Sequence, residues 1–120
     1  MAEQATGELT PPPLSVIGIL YHPHKPASVP LAREIQAWLT VRGRSVWLAS
    51  SWDEQVVNEA MPETQLVITL GGDGSLLRAA RVAAPHGALL FGVNLGRLGF
   101  LSECTTDNSQ VPLARLLAHN

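Results

Sequence analysis

The sequence predicts a three-layer α/β domain on a mostly parallel sheet. Short runs of β-branched and apolar residues without clean alternation, as in strands covered on both faces, are separated by helical segments. Strands spaced by helices imply right-handed crossovers and a parallel, layered sheet.

Residues Met1 to Pro13 mix Glu, Gln, Thr and three consecutive prolines, a composition expected of a flexible tail. Leu14 to Tyr21 is the first strand, a β-branched run placed centrally. A turn-rich stretch with Pro23, Pro26 and Pro30 follows. Leu31, Ile35, Trp38 and Leu39 then recur at helical spacing up to Gly43, where a helix stops. Ser45 to Ala49 reads as the second strand, and Asp53 to Met61 as a short helix or structured loop ahead of Pro62. Leu66 to Leu70 is a third strand running straight into glycines. The strong helix formers Ser75 to Ala84 come next, broken by Pro85-His86-Gly87. Ala88 to Val93 is the fourth strand, and Val111 to Ala118 has the leucine spacing of a final helix.

At 120 residues, 46% hydrophobic and 15% charged, the chain has room for one soluble domain. A formal net charge of -2, with basic residues scattered, offers no field for a nucleic acid. No apolar run reaches the roughly 18 residues that cross a bilayer, and the N-terminus lacks the apolar core of a signal peptide. A cytoplasmic location without membrane contact is expected. The lone Cys104 can make neither an internal disulfide nor a cysteine-based metal site. His22-Pro23-His24 reads as a loop rather than a metal pair, so no metal ligand is assigned. Trp38, Trp47 and Trp52 read as packing residues.

Gly71-Gly72-Asp73-Gly74 ends the third strand, where open α/β sheets bind ligands. Glycines there let the backbone approach a phosphate, and the helix opening near Ser75 adds the positive end of its dipole. Asp73 would repel that phosphate unless it holds a metal ion or accepts a proton from a reacting hydroxyl. A plain turn with Asp73 as an Asx or capping residue fits the spacing as well. GxxxxGK[ST] and GxGxxG are both missing. A second glycine-rich stretch, Gly92 to Leu101, follows the fourth strand. There Asn94 and Phe100 either border a pocket, with Arg97 offering charge, or serve turns and core.

Taken together, Leu70-Gly71-Gly72-Asp73-Gly74-Ser75-Leu76-Leu77-Arg78-Ala79-Ala80-Arg81 and Gly92-Val93-Asn94-Leu95-Gly96-Arg97-Leu98-Gly99-Phe100-Leu101 resemble the two signatures of the NAD kinase amino-terminal domain. The GGDG element is shared with diacylglycerol-type lipid kinases and phosphofructokinases. The NxGxLGFL stretch singles out NAD kinases. Ser75 stands where the family more often has threonine, and the hydroxyl is kept.

The resemblance implies a Rossmann-like fold and transfer of a terminal phosphoryl from ATP, or polyphosphate in some members, to the adenosine-ribose 2′-hydroxyl of NAD. A divalent cation, magnesium by expectation, compensates charge. Asp73 matches the catalytic aspartate. Asp73, Gly74, Arg78 and Phe100 match positions at the NAD site, although Arg78 read alone fits a solvated helix residue too. Family members continue into a β-rich carboxy-terminal domain that carries most NAD contacts and builds dimers or tetramers. This chain, with its α/β domain at 14–120, holds nothing resembling that domain, so it is expected to be inactive alone. The rivals are a lipid or sugar kinase of the same superfamily and a nucleotide-binding module without chemistry.

Overall fold

The computed structural model describes residues 14–95 and 104–105. The expected tail at 1–13, the helix at 111–118 and the stretch from Gly96 through Phe100 lie outside the described residues. In order, the elements are β1 (Val16–Tyr21), α1 (Ser28–Val41), β2 (Ser45–Ser50), α2 (Glu54–Ala60), β3 (Leu66–Gly71), α3 (Asp73–Ala83), β4 (Leu89–Asn94) and a two-residue β5 (Cys104–Thr105). Short 3-10 turns at Met61–Glu63 and Ala84–His86 extend α2 and α3.

The five strands form one sheet in the order β2-β1-β3-β4-β5, and every pairing is parallel. The chain winds from β1 outward to β2, then returns past β1 to β3 and β4. With right-handed crossovers, that reversal places α1 on one face and both α2 and α3 on the other. On one face α1 packs Ala32, Ile35 and Leu39 against Ile17, Ile19, Ile68, Leu70, Phe91 and Val93. On the other, α2 and α3 bring Val57, Ala79 and Ala83 against Leu20 and Val67. The alternation along each strand feeds both cores. β3, flanked by β1 and β4, is buried at all six positions, which is why its sequence is continuously apolar. The α/β class expected from the sequence is therefore the observed one.

Two glycines have distinct structural duties. Gly18 faces Trp47 across the β1–β2 ladder, and a Cβ on Gly18 would stand 2.7 Å from the indole Cη2. The bare strand is the seat of the ring, whose Nε1–H donates to Thr64 Oγ1 at 2.8 Å. Gly87 has φ 69° and follows the 3-10 turn, a left-handed position that glycine takes without steric cost.

Helix boundaries depart from the sequence reading in two places. α1 opens at Ser28 and takes Pro30 into its first turn, since a first-turn residue has no intrahelical N–H bond to lose. α3 opens at Asp73 rather than near Ser75. The segment Asp53 to Met61, left open between helix and loop, is helix from Glu54 to Ala60, with Asp53 as N-cap accepting from the Val56 N–H.

Candidate functional site at the carboxyl edge

The winding reverses between β1 and β3, and beyond their carboxyl ends an open α/β sheet leaves a crevice. There the chain has a cleft of about 330 Å³ lined by His22, Lys25, Ser51, Trp52, Gly72, Gly74, Ser75 and Arg78. Three strand ends contribute. His22 and Lys25 follow β1, Ser51 and Trp52 follow β2, and the remainder belongs to the turn after β3 and to α3.

Gly71 is the last residue of β3, paired with Asn94. A Cβ there would stand 2.7 Å from that of Ser75, so glycine lets α3 start directly on the strand. Gly72 is the N-cap of α3, and its carbonyl accepts the Leu76 N–H at 3.1 Å. Asp73 and Gly74 are thus the first two helical residues, where backbone N–H groups lack intrahelical acceptors. A carboxylate in that turn is favoured by the helix dipole. Asp73 is half-buried, whereas Gly74 and Arg78 are exposed. Among the described residues, sequence neighbours and the helix's own backbone aside, no atom lies within 4 Å of where a Cβ would stand on Gly72 or Gly74, which leaves room for a ligand against that backbone.

The β1 loop is fixed by Ser28, which is fully buried. Its Oγ accepts the His22 N–H at 2.9 Å and donates to the His22 carbonyl at 2.9 Å. The His24 N–H donates to His22 Nδ1 at 3.1 Å, so the neutral ring carries its proton on Nε2. Burial, followed by the Lys25 and His24 charges, lowers the His22 pKa below the ordinary 6.5, against a backbone hydrogen bond that raises it; the Arg78 charge also lowers it. An NMR titration of the His22 ring is expected to show a midpoint below 6.5. The unfolded chain would take up that proton at higher pH than the folded one. The group therefore destabilises the fold as pH falls through 6.5 towards the folded value, and has no such effect above that window. A midpoint at or above the ordinary value would contradict the burial.

The structure brings Gly74 and Arg78 together in the cleft lining, with Asp73 between two lining glycines. Asn94 is buried and in register with Gly71, and the Leu95 N–H donates to the Gly71 carbonyl at 3.0 Å. The beginning of the second glycine-rich stretch therefore adjoins the first. Phe100 lies outside the described residues. The sequence reading did not anticipate the roles of His22, Lys25 and Trp52 in the lining. Trp52 packs, as its type suggests, but against His22, His24 and Arg78 and with 39% of its surface exposed. The available signal was its position just past a strand end. Among the described residues no group of three His, Cys, Asp or Glu could hold a metal ion, and no helix is long and apolar enough to cross a membrane.

Residues 17–120 match the family model described as the ATP-NAD kinase N-terminal domain. The chain is 38% identical over 102 residues to the NAD kinase of Dehalococcoides mccartyi, covering 85% of this chain and 36% of that protein. It is 36% identical over 112 residues to the NAD kinase of Heliobacterium modesticaldum, covering 88% and 40%. The NAD kinase of Erwinia tasmaniensis is 34% identical over 118 residues, covering 88% and 39%. The chain thus spans a little over a third of the length of these curated relatives. With the family model matched over nearly its whole length, and both glycine-rich segments inside the match, the chain belongs to the NAD kinase family.

Proposed function

We propose that this chain supplies the phosphoryl-transfer half of an NAD kinase site. The observation that supports the reading most is the match from residue 17 to 120, within which Asp73 and Gly74 open a helix beside a cleft at the carboxyl edge. In the proposed reaction the 2′-hydroxyl oxygen of the adenosine ribose of NAD attacks the terminal phosphorus of ATP or polyphosphate. The bond to the bridging oxygen breaks, and the shortened phosphate chain leaves. Asp73 orients the hydroxyl and accepts its proton, and the product is NADP. Gly74, having no side chain, lets NAD lie against the backbone. Arg78 and Phe100 border the NAD site.

A divalent cation, magnesium by expectation, would supply charge compensation on the phosphates. Magnesium commonly takes only one or two carboxylates and completes its shell with water and phosphate oxygens, so the phosphate chain would be its main ligand and no side chain of this chain is assigned to it. The enzyme would act in the cytoplasm as a homo-oligomer, a dimer or tetramer built through a β-rich carboxy-terminal domain.

The site is completed by that domain, so this chain alone is expected to produce no NADP. The test is a coupled assay for NADP with ATP, magnesium and NAD, run on this chain and on a family-length protein carrying it. Turnover by the longer protein only supports the reading. Turnover by the 120 residues alone would refute the half-site, and turnover by neither would reopen the lipid and sugar kinase alternatives.

A further inference from the structure

Trp52 is the side chain that joins the two walls of the cleft. The Arg78 guanidinium carbon lies 5.3 Å from the centre of its ring. His22 meets the indole edge-on at 5.1 Å between ring centres, and the His24 ring lies tilted against it at 4.7 Å. Arg78 also lines a second, smaller cavity of about 100 Å³ together with Glu54 and Arg81, so its exposed side chain has a carboxylate as an alternative neighbour. An arginine carries several rotatable bonds, and an aromatic face under the guanidinium narrows its choices and leaves its N–H groups available.

Among the described residues the cleft lining has Lys25 on the β1 side, Arg78 on the α3 side, the His22 imidazole, the hydroxyls of Ser51 and Ser75, and no carboxylate. Asp73 sits between two of its glycines. This donor set suits a phosphate-bearing anion.

We propose that Trp52 is a positioning residue of the cleft, holding the Arg78 guanidinium towards a bound phosphate chain and away from Glu54. The inference rests on the reading of the cleft as a phosphoryl-transfer site. Trp52 acts through Arg78. Its indole sets where the charge stands, while His22, whose backbone is held by Ser28 and whose ring accepts the His24 amide, packs edge-on against the indole.

The test is a calorimetric titration of the 120-residue chain with inorganic tripolyphosphate at fixed, low ionic strength, repeated with ATP. Trp52→Leu is expected to weaken tripolyphosphate binding on the order of three- to tenfold, the scale of a lost cation–π contact at a partly exposed site. Trp52→Phe, which keeps an aromatic face, should recover most of that loss. In an Arg78→Ala background the Trp52→Leu change should cost almost nothing, because residues acting as one unit are non-additive. Circular dichroism on each variant establishes that the fold is retained.

An equal loss from Trp52→Leu with and without Arg78 would overturn the proposal, as would unchanged binding in Trp52→Leu or no binding of tripolyphosphate by the unaltered chain. Weakening of both ligands supports a subsite for the phosphate chain, whereas weakening of ATP alone would assign Trp52 to the base and sink the positioning role. Loss of the NAD kinase reading would leave this result standing, since tripolyphosphate binding requires neither NAD nor turnover.

Discussion

Asp73→Asn is expected to lower NADP formation by about 10²- to 10⁴-fold in a family-length enzyme carrying this domain, the range for loss of a general base. The apparent affinity for NAD should change only a few-fold. Asparagine keeps the shape and the acceptor oxygen and loses the charge that takes the proton. Circular dichroism of the variant establishes that the fold is retained. Steady-state kinetics together with equilibrium NAD binding separates the outcomes. If turnover and NAD affinity fell by the same factor, Asp73 would be a binding residue, and the domain a nucleotide-binding module.

The largest stability effect outside the site is expected from Gly18→Ala. A methyl group there would overlap the Trp47 ring, which is too rigid to deflect and is held by its bond to Thr64. Overpacking of this kind costs about 1–3 kcal/mol. For a domain of this size that corresponds to a melting temperature lower by roughly 5–20 °C. Thermal unfolding followed by circular dichroism measures it. The double variant Gly18→Ala/Trp47→Val should be less destabilised than the sum of its parts, since the smaller side chain vacates the contested space. Strict additivity would show that Gly18 is not there for the ring.

Sequence periodicity located β1 through β4 to within two residues because these strands are covered on both faces, which makes apolar runs contiguous. It misplaced the start of α1 because Pro30 was read as a breaker, whereas a first-turn proline is harmless. It also started α3 at Ser75 because glycine next to aspartate suggests a turn. In the fold Gly71 seats the helix directly on the strand, and Asp73 becomes a helical residue. The Gly71–Gly74 segment and Arg78 were legible as local sequence. The convergence of His22, Lys25 and Trp52 on them was not, because it follows from the strand order that sets the ends of β2, β1 and β3 side by side. No local pattern encodes that order.

Strand β1 has β2 on one side and β3 on the other, and the Gln65 side chain just before β3 accepts from the backbone of Ser15, fifty positions earlier. A ribosome adding roughly 5–20 residues per second needs about 3–10 s to cover that distance. During this interval the nascent chain can pair β1 with β2 only, and the apolar ladder edge that β3 will occupy stays open. Until β3 arrives, that edge is a place where the nascent chain can take up a wrong strand as its partner.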